Sequence, residues 1–188
     1  MSINDAFSHD CIILDACCII NLFASRQMRP VLETIPRSLS VAAYVKDHEV
    51  LSVYSGPIDN VHVTSELINL QPLIDEELLL LVDIETEAEE NTYINFAEGL
   101  DDGEAVTGAI AINRNWAIAT DDSASVRLFQ RRAPHIALIS TLDLVKYWAD
   151  TAKPNEDIIR ETLLNIRVRG RYAPHPKHPI WGWWQKFS

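Results

Sequence analysis

From Cys11 onward the chain alternates short, continuously apolar runs with segments whose apolar residues recur at helical spacing. CIILD at 11–15 ends in a carboxylate and feeds ACCIINLFAS, which reads as a buried strand entering a helix. Pro30 and Pro36 bracket a short segment, after which a strand at Leu39–Val41 leads to a helix carrying Asp47 and Glu49. SGPIDN at 55–60 is a turn, and VHVT at 61–64 alternates as a strand does. INLQPLIDEELLLLVDI holds a helix started near Asp75 and a strand around Leu80 to Ile84. A helix with an acidic first turn spans Thr86 to Glu98 and stops at Gly99. Asp101 or Asp102 caps the next, GEAVTGAIAINRN, which is followed by the strand WAIAT, ending at Asp121 and Asp122. SASVRLFQRR, HIALIS and TLDLVKYWAD continue as helix, strand and helix. Strands apolar on both faces belong to parallel sheets covered by helices, so the expectation is an α/β domain around a parallel sheet.

A chain of 188 residues has the size of one ordinary domain. We therefore place residues 1–151 in that domain and expect 152–188, a helix from Pro154 to about Arg167 and a tail rich in Arg and Trp, to pack on it. MSINDAFSHD lacks a basic stretch followed by an apolar one, and no apolar run approaches a membrane span, so a cytoplasmic protein without membrane contact is expected. Cys11, Cys17 and Cys18 share one apolar segment without C-x-x-C pairing and read as small buried apolar residues.

The net charge of −11 argues against a nucleic-acid partner, but its distribution does not. Residues 1–122 carry 5 basic and 22 acidic side chains, whereas residues 123–188 carry 11 basic and 5 acidic ones. An acidic half that holds a cation, joined to a basic tail that meets phosphate, has this asymmetry.

Asp15 at the end of the first strand, Glu104 at the start of a helix, and Asp121 and Asp122 at the end of a later strand occupy equivalent places, where ligands gather in open α/β sheets. Carboxylates brought together repel one another, and a divalent cation relieves that repulsion. Oxygen ligands without His or Cys select Mg²⁺ or Mn²⁺, whose chemistry is that of phosphate esters. The chain holds no G-x-x-x-x-G-K-[ST] and no G-x-G-x-x-G, which argues against a nucleotide cradle of either kind.

LDACCIINLFAS at 14–25, LDDGEAVTGAIAI at 100–112 and ATDDSASVRLF at 119–129 resemble the PIN-domain family of metal-dependent ribonucleases. Within it the chain looks closest to a group similar to the VapC-type toxins, with a GEA helix and an aspartate pair, and RYAPHPKHPIWGWW is similar to that group's tail. The resemblance implies a PIN-like α/β/α sandwich with a central parallel sheet of about five strands. It also implies an endoribonuclease whose catalytic residues are Asp15, Glu49, Glu104, Asp121 and Asp122, with Asp15, Glu104, Asp121 and Asp122 holding Mg²⁺ or Mn²⁺. The second family acid falls on Asp47 or Glu49, and Glu49, followed by Val50 and Leu51, is preferred. Thr120 matches a small hydroxyl residue beside the pocket, Asn21 a polar position, and Asp101 a supporting one. Partners implied are an RNA substrate, a small antitoxin protein and a second copy in a homodimer. Where many relatives carry Ser or Thr after the first aspartate, this chain has Ala16 and Cys17, which leaves a catalytically weak module that binds RNA or protein as the alternative.

Arg127 and Arg131, with Arg167, Arg169 and Arg171 in the tail, are expected to meet the RNA backbone. The Trp residues around them either stack on bases or dock the tail. His175 and His178, without further ligands nearby, are too sparse for a zinc site.

Overall fold

The computed structural model describes residues 3–49, 51–55 and 64–188. In chain order the elements are α1 (Ile3–Ala6), β1 (Cys11–Leu14), α2 (Ala16–Ala24), α3 (Met28–Thr34), β2 (Ser38–Ala42), α4 (Ala43–His48), β3 (Ser52–Tyr54), β4 (Ser65–Leu67), α5 (Gln71–Asp75) and β5 (Leu80–Val82). They continue as α6 (Glu87–Ala97), α7 (Asp102–Arg114), β6 (Ala117–Ala119), α8 (Ser123–Arg132), β7 (Leu138–Ile139), α9 (Thr141–Ala152), α10 (Glu156–Arg169) and α11 (Trp181–Phe187).

Five strands form a wholly parallel sheet in the order β5-β2-β1-β6-β7. The central strands explain the choice: CIIL and AIA are buried at every position, as strands covered on both faces must be. Helices lie on both sides. α7 packs on β1, β2 and β6 and carries α4 and α6 against it, while α2, α3, α9 and α10 pack on one another. The result is an α/β/α sandwich. β3 and β4 form a separate antiparallel pair. Trp184 and Phe187 of α11 are buried in the same apolar cluster as Ile12 and Ile118, so the tail docks on the domain.

Local chemistry accounts for the boundaries. Thr86 and Glu89 form a reciprocal capping box on α6, as Ser140 and Asp143 do on α9. Asp101 caps α7, and Asn115 closes it in the left-handed conformation. The helix expected to start near Asp75 ends there instead, because the Asn69 side chain accepts the Gln71 N–H and Pro72 occupies the first turn. α4 stops at His48, one residue short of Glu49, and Ser52–Tyr54 is strand rather than helix. α3 and α11 form where no helix was expected. The turn at 55–60 and the strand at 61–64 fall largely outside the described residues; Ser55 and Thr64, which bracket that stretch, are hydrogen-bonded to each other. Among the described residues no helix is long and apolar enough to cross a membrane.

Candidate metal centre

Parallel register brings the site together. Leu14 at the end of β1 pairs with Ala119 at the end of β6, and the Asp15 N–H donates to the Ala119 carbonyl at 3.0 Å. Asp15 and Thr120 are therefore neighbours although 105 residues apart. Both are buried. The Thr120 hydroxyl donates to Asp15 Oδ2 at 2.9 Å, the Cys17 thiol donates to the same oxygen at 3.2 Å, and the Ala16 N–H donates to Oδ1 at 2.8 Å. Cys17 thus stands where a hydroxyl was thought to be missing. It also accepts the Asp121 N–H at 3.1 Å, so its reading as one more buried apolar residue is corrected.

Three further carboxylates lie within electrostatic reach of Asp15, and a fourth, Asp122, within reach of Glu104. Glu49 follows α4, Asp101 and Glu104 open α7, and Asp122 caps α8 by accepting the Ala124 and Ser125 N–H groups at 2.7 Å. Their charges register on one another. Burial first, and Asp101 among the neighbouring charges, raise the Asp15 carboxyl. Burial, then the charges of Asp15, Asp101 and Glu104, push Glu49 up to about 7. Glu104 is raised by burial first, against a lowering contact with Ser125, and then by Asp101, Asp15 and Asp122. Among the described residues no Lys or Arg bonds to any of these five acids, while Asp47 pairs with Lys46 at 2.9 Å on the surface. Glu49, not Asp47, is the second acid of the cluster.

Gly103 makes room for it. A Cβ at this position would lie 1.6 Å from Glu49 Oε1, so only glycine lets the carboxylate sit against the first turn of α7. A glycine directly before Glu104, in a helix otherwise rich in good formers, is the signal that could have revealed this close approach. Asp102 turns away and accepts the hydroxyls of Tyr44 and Tyr93 at 3.1 and 3.0 Å.

Asp121 has different company. Its carboxylate accepts Asn21 Nδ2 at 2.8 Å, the Thr141 N–H at 3.0 Å and the Thr141 hydroxyl at 2.5 Å, with the Tyr172 hydroxyl nearby. These donors come from α2 and α9. The Tyr172 hydroxyl is driven far above its ordinary range by burial first and then by the Asp121 charge. Asp121 is thus engaged by Asn21 and Thr141, and with Cys17 and Cys18 it forms the one group among the described residues whose potential metal-ligand atoms lie within 4.8 Å of one another. Thr141 had not been singled out from the sequence.

The arginines divide. Arg127 and Arg131 are exposed on α8, with Arg127 donating to the Ser123 hydroxyl at 3.3 Å, and Arg167 is exposed on α10. Arg169 is buried, pairs with Glu66 at 2.8 Å and donates to the Ala24 carbonyl at 3.0 Å, which removes it from the expected RNA surface. Arg171 lies 3.4 Å over the Tyr54 ring, so one face of its guanidinium is already covered.

The donor set suits a hard divalent cation. Asp15, Glu49, Glu104 and Asp122, with Asp101 beside them, offer carboxylate oxygens whose mutual repulsion a bound ion would relieve. No family model, curated protein or solved structure matches this chain.

Proposed function

We propose that this chain is a divalent-metal-dependent endoribonuclease of the PIN type. The observation that carries the reading is the meeting of Asp15, Glu49, Asp101, Glu104 and Asp122 from β1, α4, α7 and α8 without a basic partner among the described residues. Uncompensated, such a cluster destabilises the fold, so its presence argues for a cation in the working protein.

Asp15, Glu49, Glu104 and Asp122 would hold Mg²⁺ or Mn²⁺. The bound ion supplies Lewis-acid stabilisation of phosphoryl charge and a water acidic enough to attack phosphorus. Thr120, Cys17 and the Ala16 N–H fix the Asp15 carboxylate, and Gly103 fixes the approach of Glu49. Hydrolysis by this route leaves a 5′-phosphate and a 3′-hydroxyl. Arg127 and Arg131 extend the site with positive charge for the flanking backbone.

The resemblance described above is what supports a toxin silenced by a small antitoxin, a homodimeric state and a cytoplasmic location. A binding module without turnover is the competing reading, and Cys17 in the hydroxyl position is the observation that favours it. The two separate when total cellular RNA is incubated with purified protein in Mg²⁺, in Mn²⁺ and in chelator, beside Asp15→Asn and Glu104→Gln. Discrete fragments that need metal and vanish in both variants support the ribonuclease. RNA retained but never cut supports the binding module.

A further inference from the structure

A cleft of about 580 Å³ opens beside the acid cluster, between α8 and tail residues 172–179. The buried Thr120 and the exposed Ser123 are among its lining residues. Thr120 holds Asp15 and accepts the Asp122 N–H at 3.2 Å, so the cleft begins one side chain from the carboxylates. Val126, Tyr172 and Pro179 supply apolar walls, and Arg127, Gln130 and His175 supply polar groups. Apolar walls with a few polar groups, at this volume, are the usual make-up of a small-ligand site.

The tail wall is held without help from an occupant. Tyr172 packs edge-on against the buried Trp184 at one end, 6.5 Å between ring centroids. At the other, His178 Nδ1 accepts the Ile180 N–H at 3.3 Å, which leaves the hydrogen on Nε2 to be donated to Ser140 Oγ at 3.2 Å. Ser140 in turn donates to Asp143 Oδ2 at 2.6 Å. The two acids that border the cleft, Asp121 and Asp143, are supplied with donors from within the protein. Arg127, which also donates to the Ser123 hydroxyl at 3.3 Å, and the Nε2 of His175 remain for a ligand, since His175 Nδ1 is taken by the Lys177 N–H at 3.1 Å.

We infer that this cleft receives one nucleotide of the RNA next to the scissile phosphate, the base between Val126 and Tyr172 and its phosphate toward Arg127. The inference rests on the ribonuclease reading for its link to cleavage, and on the cleft alone for nucleotide binding. It gives the tail a function beyond docking, as the wall that selects where the chain is cut.

The test begins in chelator, where wild-type protein is titrated by calorimetry with 5′-AMP, 5′-GMP, 5′-CMP and 5′-UMP in turn. Val126→Trp and Ala173→Trp, which fill the cleft from its two walls at partly or fully exposed positions, are titrated alongside. Saturable binding of at least one nucleotide is expected, weakened about tenfold or more in both variants, with Mn²⁺ affinity unchanged. In Mg²⁺ the variants are expected to shift the pattern of cut sites on a mixed-sequence RNA. No saturable binding by wild type, or undiminished binding in both variants, overturns the cleft as a nucleotide site. Nucleotide binding with an unaltered cut pattern overturns its assignment to the substrate. Binding that behaves as expected in a protein that takes up no Mn²⁺ and cuts no RNA supports the cleft while overturning the ribonuclease reading.

Discussion

Replacing Glu49 by Gln should stabilise the metal-free protein at neutral pH, the opposite of what removal of a buried hydrogen-bonded charge does. In the folded chain burial and the neighbouring acids push Glu49 up to about 7, from an ordinary 4.5. The shift corresponds to about 3 kcal/mol at about 1.4 kcal/mol per unit. Glu49 is only half-buried, and water screening reduces the expected effect to about 1–2 kcal/mol. Because the folded pKa is raised, the folded state holds a proton that the unfolded chain has released. The associated stability is complete below pH 4.5 and is lost as pH rises through about 7. Urea melts in chelator should therefore show wild type and Glu49→Gln alike below pH 4.5 and the variant more stable above about pH 8. In thermal melts the gap should be roughly 2–8 °C. Added Mg²⁺ should close or reverse it, since the ion stabilises the protein that binds it better. A variant no more stable than wild type above that pH would refute a repelling cluster at Glu49.

Gly103→Ala should fold with little loss of stability, because the atom that its Cβ meets is the end of the flexible Glu49 side chain; Mn²⁺ affinity, measured by calorimetry, should fall about tenfold or more. Gly108→Ala is the contrasting case: its Cβ would lie 2.4 Å from the buried Phe129 ring, and urea denaturation should register a loss of about 1–3 kcal/mol with metal affinity retained. Asp121→Asn sets an amide N–H₂ among the donors from Asn21 and Thr141, and should cost about 2–3 kcal/mol in the same assay while leaving Mn²⁺ binding within a few-fold of wild type.

The parallel sheet was legible because its inner strands are buried on both faces and so read as unbroken apolar runs. Asp15 and Glu104 were legible for a related reason, since such strands deliver their carboxyl ends, and the helices that follow, to one edge of the sheet. Asp121 and Asp122 could not be told apart by spacing. Adjacent residues at a strand end leave on opposite sides, and only the packed helices decide that Asp122 faces α7 while Asp121 faces α2 and α9. Glu49 against Asp47 was decided by the end of α4, which releases the chain at Glu49 into an extended conformation and leaves Asp47 on the surface with Lys46. Arg167 and Arg169 looked equivalent as alternating cations. Two residues on a helix are about 200° apart, however, so one is exposed and the other is buried against Glu66. Cys17 was read from its apolar segment and its spacing, and its contact with Asp121 depends on β1 and β6 being neighbours.

The claim on which the account turns is that the acids meet in order to hold a divalent ion. Titration of Mn²⁺ followed by electron paramagnetic resonance, with Mg²⁺ as competitor, tests it on wild type, Asp15→Asn, Glu49→Gln and Asp121→Asn. Saturable binding that Mg²⁺ displaces, lost in the first two variants and kept in the third, is the predicted result. Wild-type protein that leaves Mn²⁺ free in solution, or that binds it equally well without the Asp15 carboxylate, would contradict the account.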